Sequence, residues 1–585
     1  MDKFYSKGFY EFEDFHLDAA HRLLFRNGQE IALAPKVVET LLALVARHGE
    51  ILSKDELMQI VWAESVVEEG NLSQNLYLLR KILKETATGK PLIETLRRRG
   101  YRFNGDVQTA DGKSSSVANV RRNDPSIAVL PFVNMSSGAE DEYFCDGLAE
   151  ELINALAKIA NLKVAARTSA FSFKNKMVET GEIGKALNVK TVLEGSVRRS
   201  GNRVRIMVQL INAADGYHLW SERFDREMRE IFDVQDEITL AVIDALKLKL
   251  FGEEKAAVLK RGTLNPQAYE FYLRGLFFFY KRTREDITKA IALFGRAIEK
   301  DPEYALAHVG LTDCYLLIGV YTGTQASETL PPAKAAATRA LEIDNSLAEA
   351  HATMGHFYFR SLEWREAERE IKRAIELNPY YAMAHQWYAE YFRALRKFDE
   401  AMNEVKRAQE LDPLSPHFDT FVGVAHFNLG NLDAAFKRWR RVMEIAPNFL
   451  MTHFFLTGAY VKLGRAKEAI AEAQIAVELS GRGSLFLGSL GYTYGLAEKR
   501  IEALAVIEEL KEKYGAGEAQ GFNFAQVFTG LGNNAQAIAW LEKDFESGNT
   551  VMLTNVAASY LYDHLCSDPR YQNLLRRIGV PTDEK

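Results

Sequence analysis

The chain has 585 residues, of which 47% are hydrophobic and 26% are charged, and its formal net charge is −6. This length exceeds what one hydrophobic core normally supports, so three or four domains are expected. The negative net charge excludes a general attraction to nucleic acid, so binding to DNA would need a local cluster of cations. Three distant cysteines, Cys145, Cys314 and Cys566, argue against a disulfide framework or a zinc cluster and fit a reducing compartment.

The N-terminal region begins with short elements. Residues 9–33 contain alternating apolar stretches, which predict small antiparallel strands with a turn at residues 27–28. A helix is predicted over residues 35–47, where apolar residues recur on one face and a proline suits the first turn. Ser53 and Glu56 have the spacing of a capping box, so a second helix is expected to begin there.

A third helix is predicted over residues 67–84. Four leucines recur at helical spacing and form an apolar stripe: Leu72, Leu76, Leu79 and Leu83. The other faces carry amide, hydroxyl and cationic side chains: Asn71, Ser73, Gln74, Tyr77, Arg80 and Lys81. By itself this pattern indicates a helix packed on a core, since amphipathic helices are common in globular proteins.

A two-stranded ribbon is predicted over residues 93–103, with a turn at residues 99–100. The stretch from Arg80 to Arg102 holds eight basic residues and two acidic ones. Such a ribbon beside a polar helix face predicts a DNA-reading pair, because helix side chains can reach base edges while arginines neutralise phosphate or enter the minor groove. The candidate residues of the ribbon are Arg97, Arg98, Arg99 and Tyr101. The alternative is that these arginines are merely solvated.

Residues 8–105 resemble the winged-helix effector domain of OmpR/PhoB-type bacterial response regulators. The resemblance is carried in order by residues 28–33, 41–44, 49–57, 61–62, 79–83, 93–95 and 99–103. It implies that the third helix enters the major groove and that the ribbon, the wing of this fold, enters the minor groove. It also implies that Ser73, Gln74 and Tyr77 face the bases, while Arg80, Lys81 and the wing arginines face the backbone or minor groove.

Some members of that family contact RNA polymerase through the loop that here spans residues 63–69. This loop is acidic and would suit a basic partner surface, although a solvated connector with carboxylates at a helix start explains it equally well. No phosphoacceptor receiver domain precedes residue 8, so control by a histidine kinase is not expected. Neither a signal peptide nor a membrane span is predicted, and the chain is expected to bind DNA in the cytoplasm without contacting a membrane.

A polar, small-residue segment over 106–125 predicts a flexible linker to a second domain over 126–250. Apolar runs at 126–133, 162–167, 191–197, 204–211 and 217–224 predict its strands, and helices are predicted at 146–159, 182–187 and 234–250. Phrases such as residues 126–132, 144–148, 194–198 and 219–225 resemble the N-terminal domain of TolB. That resemblance implies a fold more than an activity.

Catalysis by this domain is not expected. No phosphate-binding loop and no dinucleotide-binding glycine motif occurs, so no cofactor is predicted. Asp146 fits a helix cap better than a metal ligand, Cys145 fits a small buried residue better than a nucleophile, and His218 fits a structural role. An enzyme that acts on a nucleotide, as a cyclase does, remains the alternative.

From residue 265 onward the sequence repeats. Helix pairs are predicted to end at a regular set of turn residues: Pro302, Asn345, Pro379, Pro413, Pro447 and Gly481. The later intervals are 34 residues long, which together with alanines at fixed offsets is the tetratricopeptide signature. Seven or eight such pairs over 265–545 predict a right-handed superhelix with a concave groove that binds a protein or peptide. Residues 546–585 are expected to cap its open end.

The chain is thus predicted to be multidomain: a winged helix-turn-helix, then an α/β domain, then an all-α tetratricopeptide-repeat superhelix. This organisation predicts a transcriptional regulator that binds double-stranded DNA and receives a protein, peptide or small-molecule signal in its repeats. The middle domain would couple the two parts or assemble protomers into a homo-oligomer. A scaffold whose winged helix contacts protein instead of DNA is a further alternative, against which the three consecutive arginines argue.

Overall fold

The computed structural model describes residues 9–13, 15–19, 23–26, 29–31, 33, 35–61, 69–83, 91–96, 99–105, 107–110, 125–136, 141–159, 162–227, 231–248, 255 and 258–580. The chain divides into two compact units, Met1–Asp124 and Pro125–Lys585. Each unit has its own hydrophobic cores.

The described residues of the first unit form two sheets and three helices. Its elements in chain order are β1 (Phe9–Phe12), β2 (Phe15–Asp18), β3 (Leu23–Arg26), β4 (Gln29–Ile31), α1 (Pro35–Ala46), β5 (Ile51–Leu52), α2 (Lys54–Val61), α3 (Glu69–Leu83), β6 (Ile93–Leu96), β7 (Gly100–Phe103) and β8 (Gln108–Ala110). One antiparallel sheet has the strand order β4-β3-β2-β1-β8, and the other has the order β5-β7-β6. This arrangement of a helix-turn-helix followed by a ribbon is the predicted winged helix.

Two features of this unit differ from the sequence-based expectation. The wing is three-stranded, because the short β5 pairs with β7 through Leu52 and Tyr101. The segment Gln108–Ala110, expected to begin the flexible linker, forms a strand that pairs with β1. The linker prediction is therefore wrong for these residues. Whether such short segments form strands depends on pairing partners that are distant in sequence, and local composition does not reveal these partners.

The predicted capping box at the start of α2 is confirmed. The Ser53 backbone N–H donates to Glu56 Oε2 at 2.8 Å, and the Glu56 N–H donates to Ser53 Oγ at 3.2 Å. These two bonds satisfy backbone donors that a helix start would otherwise leave unpaired. The bonds from Ser53 lower the pKa of the Glu56 carboxyl.

The second unit begins with an α/β region. Its elements are β9 (Ser126–Val129), β10 (Val133–Asn134), α4 (Glu142–Ala157), β11 (Lys163–Val164), α5 (Arg167–Phe171), α6 (Thr180–Leu187), β12 (Thr191–Ser200), β13 (Arg203–Asn212), β14 (His218–Glu227) and α7 (Ile231–Ala245). The sheet has the order β11-β9-β12-β13-β14, with β10 also pairing with β12. Its first three strands are parallel and its last three antiparallel. The five predicted strands and three predicted helices occur in the predicted order with shifted boundaries, and β10 and α5 are additional elements.

Two predictions for this region are wrong. Asp146 does not cap the helix, because α4 begins at Glu142 and Asp146 lies inside it, buried against Lys174. The apolar run 162–167 does not form a strand along its length: β11 holds two residues, and Arg167 begins α5. Both errors arise where a local pattern is overridden by contacts with residues distant in sequence.

Eight antiparallel helix pairs follow. They are α8 (Pro266–Phe279) with α9 (Arg284–Lys300), α10 (Ala305–Thr322) with α11 (Ala326–Ile343), α12 (Ala348–Arg360) with α13 (Trp364–Leu377), α14 (Ala382–Ala394) with α15 (Phe398–Leu411), α16 (Pro416–Asn428) with α17 (Leu432–Ile445), α18 (Leu450–Lys462) with α19 (Ala466–Leu479), α20 (Ser484–Leu496) with α21 (Arg500–Gly515), and α22 (Gly521–Gly530) with α23 (Asn534–Glu546). The predicted turn residues follow the second helix of each of the first six pairs, as expected.

Small residues allow the helices of a pair to approach closely. A Cβ atom on Gly423 would lie 2.3 Å from Trp439 Nε1, so the indole of α17 occupies the space that this glycine leaves on α16. The extra residues of the longer second repeat extend α10 and α11 to 18 residues each, whereas α12 has 13 and α13 has 14. Of the helices that the structure describes, α10 alone has the length and apolarity of a membrane span, and 56% of its residues are buried in the array.

The array closes on itself, because its first two pairs contact residues at the start and end of its last pair. The Ala326 N–H donates to Asn549 Oδ1 at 3.1 Å, and Gln520 Nε2 donates to the Thr324 carbonyl at 2.9 Å. Arg284 forms an ion pair with Glu518 at 2.6 Å. The concave side is therefore the inside of a ring of helices.

The C-terminal segment lies on this concave side. It contains two 3-10 turns, Leu553–Asn555 and Tyr560–Leu565, and the helix α24 (Pro569–Ile578). Arg360 Nη1 donates to the Val551 carbonyl at 3.1 Å, Arg396 Nη1 donates to the Ala557 carbonyl at 3.0 Å, and the Tyr560 ring packs edge-on against Phe427. The apolar side chains of this segment share one core with the last helix pairs, and the segment also contacts inner helices, so the expectation that residues 546–585 cap the open end stays a prediction.

The α/β region and the first repeats share one hydrophobic core, which extends from Ile127 to Cys314. Phe232 of α7 packs edge-on against Tyr269 of α8, with ring centroids 5.1 Å apart. Farther along the array, the Leu414 N–H donates to Ser169 Oγ at 2.8 Å. The proposed boundary between residues 250 and 265 thus separates two parts that are packed together.

Candidate nucleic-acid interface

One face of α3 anchors it to the rest of the winged helix. The four predicted leucines are all buried: Leu72, Leu76, Leu79 and Leu83. Asn75 lies on the same face, and its Nδ2 donates to the Lys36 carbonyl and to Thr40 Oγ1, each at 3.0 Å. The buried amide thereby fixes α3 against α1. This positioning role was not predicted. One feature of the sequence indicated it: Asn75 is a polar residue three positions after Leu72, on an otherwise apolar stripe.

The opposite face of α3 presents polar side chains to solvent. Ser73, Gln74 and Lys81 are exposed, and the Tyr77 side chain is 66% exposed. Exposing this much of a tyrosine side chain to water is energetically unfavourable, because its ring is largely apolar. The hydroxyl, amide and phenol groups face the same way from two turns of helix, which is the arrangement needed to reach base edges in a major groove.

Arg80 joins α3 to the wing. Its Nε donates to the Ile93 carbonyl at 3.2 Å, its Nη2 donates to Thr95 Oγ1 at 2.5 Å, and its guanidinium lies 5.9 Å from the centre of the Tyr101 ring. These contacts use two of the N–H groups of the guanidinium and hold β6 beside α3. Arg80 therefore positions the wing, a role that the sequence did not reveal because Thr95 is fifteen residues away.

The base of the wing is tied by a second group of polar contacts. Arg102 forms an ion pair with Glu94 Oε2 at 2.7 Å, and Asn104 Nδ2 donates to the same oxygen at 3.2 Å. The turn itself requires Gly100, whose φ is +129° and whose position would bring a Cβ atom within 2.0 Å of the Leu52 carbonyl oxygen. The wing is thus held rigidly on the sheet formed with β5.

Two predicted cations remain available for a ligand. Lys81 on α3 and Arg99 at the tip of the wing are exposed, and neither forms an ion pair with any residue that the structure describes. The backbone N–H of Arg99 donates to the Leu96 carbonyl at 2.9 Å, which fixes the turn without using the side chain. Arg97, Arg98 and loop residues 63–68 lie outside the described residues, as does the Asn71 side chain.

The three chemical groups singled out in the α/β region have different surroundings. Lys174 Nζ donates to both carboxylate oxygens of Asp146 at 2.7 Å, so this carboxylate serves an internal ion pair. Cys145 is buried, and desolvation together with neighbouring carboxylates raises the pKa of its thiol to about 12. His218 is exposed at the start of β14. Within the described ranges, no group of three or more potential metal ligands occurs.

Comparison with protein families identifies three successive segments. Residues 28–103 match the family of the transcriptional regulatory protein C-terminal domain, and residues 123–241 match the second domain of HilA/YgeH-like transcriptional regulators. Residues 353–416 and 389–448 match the tetratricopeptide repeat. The predicted winged helix and repeats are confirmed. The middle segment matches a regulator domain, whereas its resemblance to TolB stays a prediction.

Individual relatives cover parts of the chain. Transcriptional regulator HilA of Salmonella typhimurium is 23% identical over 347 residues, which cover 59% of this chain and 60% of that protein. A Rhizobium meliloti protein named "Putative adenylate cyclase 3" is 39% identical over 232 residues, 39% of each chain. The solved DNA-binding domain of E. coli CadC is 29% identical, with 97% of it covered by 18% of this chain and a TM-score of 0.17.

The chain spans two fifths to three fifths of the length of these curated relatives. The segment matches occur in the order that the fold shows, from winged helix through α/β region to helical repeats. The chain therefore carries an OmpR/PhoB-type winged-helix DNA-binding domain, a middle region similar to the second domain of HilA-like regulators, and tetratricopeptide repeats.

Proposed function

We propose that this chain is a cytoplasmic transcriptional regulator that binds promoter DNA through α3 and the wing. The observation that carries the proposal is the exposed polar face of α3 beside a wing whose tip holds Arg99, an exposed cation that pairs with no described residue. Helix side chains read bases, whereas Lys81 and Arg99 neutralise phosphate or enter the minor groove. The relatives named as transcriptional regulators support the same assignment.

The residue roles are distinct within this proposal. Ser73, Gln74 and Tyr77 contact bases, while Arg80 positions the wing and directs its remaining N–H groups to the DNA backbone or minor groove. Arg97 and Arg98 add to the charge of the wing, and Asn71 and Tyr101 border the contact. Loop 63–69 is proposed as a contact for RNA polymerase, and a second copy of the chain as a partner that would match a palindromic site.

The test measures binding of the full chain to its own upstream region by fluorescence anisotropy, with an unrelated duplex as competitor. Replacing Gln74 with alanine removes an amide that can pair with adenine, so the preference for the specific duplex is expected to fall by about tenfold or more. Nonspecific affinity should stay unchanged. Arg373→Gln serves as the control, because Arg373 pairs with Glu376 on an exposed helix of the repeats. Equal preference in all three proteins would contradict the assignment.

No reaction is assigned to the α/β region. Asp146 is paired with Lys174, and burial raises the pKa of the Cys145 thiol to about 12. Both observations support the absence of a catalytic role for these two groups. The same purified chain is expected to leave ATP unchanged over hours at saturating magnesium, as followed by chromatography of the nucleotide. Turnover that disappears on Asp146→Ala, with Lys176→Ala as a nearby control, would favour the nucleotide-acting alternative instead.

A further inference from the structure

The ring of repeats encloses a large cavity within the second unit. Its volume is about 970 Å³, and its wall is formed by the inner helices of the array, by α4 of the α/β region and by the C-terminal segment. A cavity of this size is in the range of pockets that take small molecules. Much of its wall is aromatic, including Tyr280, Tyr381, Trp387, Phe421 and Tyr560.

Two arginines line this cavity, and each has a carboxylate of the same wall within electrostatic range: Asp313 for Arg282 and Glu390 for Arg360. Within the described part of the chain, neither arginine forms an ion pair. Arg360 is buried, its Nη1 donating to the Val551 carbonyl. Glu390 also pairs with Arg393, so two buried guanidinium groups share one carboxylate, and this part of the wall favours a further anion.

A histidine beside Arg360 adds a donor. His356 is 1% exposed, and its ring stacks on Trp387 with centroids 3.7 Å apart. Arg360 Nε donates to His356 Nε2 at 3.0 Å, so this nitrogen must be an acceptor and the neutral ring carries its proton on Nδ1. Burial and the charges of Arg360 and Arg282 lower the pKa of this imidazole well below its ordinary value. The Nδ1–H group is buried and has no partner among the described residues.

A third cation lies on the neighbouring helix. Arg393 lines the cavity and pairs with Glu390 at 3.6 Å, yet its Nε–H lacks an acceptor in the described chain. Carboxyl groups are also present on the wall. Asp313 accepts from Thr353 Oγ1, and burial raises its pKa to about 6. Glu151 lies near α8, where burial raises its pKa to about 7.

We propose that this cavity is a binding site for a small organic anion with an aromatic or aliphatic body. Its carboxylate or phosphate group accepts from His356 Nδ1 and pairs with the guanidinium groups of Arg282, Arg360 and Arg393. Its apolar body packs between the aromatic rings of the inner helices. Glu151 also lines the cavity, and its carboxyl group can form a hydrogen bond with a hydroxyl group of the ligand. The ring leaves its interior to a small molecule, whereas the C-terminal segment already occupies the surface along which a peptide would lie.

The experiment uses the full chain and defined probes. Decanoate, decyl phosphate, decan-1-ol and decylammonium are titrated by calorimetry below their micellar concentrations, with inorganic phosphate as an arm that lacks an apolar body. Decanoate or decyl phosphate is expected to bind at least about tenfold more tightly than the alcohol, and the amine and inorganic phosphate more weakly still. Equal affinity for acid and alcohol, or no binding by either anion, would overturn the proposal.

Two variants locate the anion. Arg282→Gln removes a cation at the turn after α8, and His356→Phe keeps the ring stacked on Trp387 while removing the donor. Each is expected to lower the ratio of acid to alcohol affinity about fivefold or more. A loss of packing alone would weaken both probes and leave this ratio unchanged. The matched control Arg373→Gln should retain the full preference. Since no DNA is present, the result is independent of the proposed regulatory function.

Discussion

The strongest quantitative expectation concerns Lys81 and Arg99. Both are exposed and neither is paired with a described residue, so replacing them with glutamine should change folding stability by less than about 0.5 kcal/mol. Each lost phosphate contact lowers the slope of log affinity against log salt by about 0.9, which makes about 1.8 for the double variant. Between about 50 and 200 mM salt, the unaltered chain should therefore lose roughly tenfold more affinity than the variant.

The assay is fluorescence anisotropy of the full chain with an unrelated duplex at four salt concentrations, because nonspecific binding isolates the phosphate contacts. Arg373→Gln removes one cation elsewhere and should leave the slope unchanged. A double variant that binds the duplex with the slope of the unaltered chain would show that these side chains do not touch phosphate. That result would refute the charge argument even if sequence preference were retained.

Three further outcomes are expected. Gly100→Ala should lower amide protection in β5 and β7 in hydrogen exchange, since its Cβ would meet the Leu52 carbonyl at 2.0 Å; protection equal to the unaltered chain would contradict this steric reasoning. Asp544→Ala should destabilise the array by about 2–3 kcal/mol in thermal unfolding, because its carboxylate accepts from the Gly521 and Phe522 N–H groups at 2.7 and 2.6 Å, whereas Glu546→Ala should be neutral. Burial lowers the pKa of His417 in the folded chain to about 3, whereas an unperturbed imidazole has a pKa of about 6.5. Below about pH 6.5 the unfolded chain therefore binds a proton at this histidine that the folded chain does not bind. Stability is then lost as pH falls, and relative to His417→Phe the unaltered chain should lose roughly 1.4 kcal/mol per pH unit between about pH 6 and 4, as measured by urea unfolding; parallel pH profiles would refute it.

Local patterns predicted those elements that depend on near neighbours in sequence. The leucine stripe of α3 and the capping box at Ser53 are set by residues three or four positions apart, and both are present in the structure. The helix pairs follow for the same reason, since each turn residue ends a unit that repeats. The failures involve distant partners. Asp146 was expected to cap a helix but pairs with Lys174, and Gln108–Ala110 was expected in a linker but pairs with β1.

The candidate DNA-binding site also contains residues whose position the sequence predicts and residues whose role it does not. The exposed positions Ser73, Gln74, Tyr77 and Lys81 follow from helical periodicity alone. The role of Arg80 does not, because a basic residue on a polar face has the same pattern whether it meets phosphate or a neighbouring strand. The cavity in the repeats was equally invisible, since a periodic sequence does not specify how far the stack of helices curves before its ends meet.

That contact between early and late repeats has a consequence for folding. In an open solenoid each unit touches only its neighbours, and units can be removed from either end with a graded loss of stability. Here residues 284–326 contact residues 518–549, so the first and last repeats are joined and form one cooperative structure. Deleting the final pair should remove the contacts that hold the first pairs. The intact array should unfold in a single cooperative transition. Such long-range closure also predicts slower folding than the local helix pairs alone would allow.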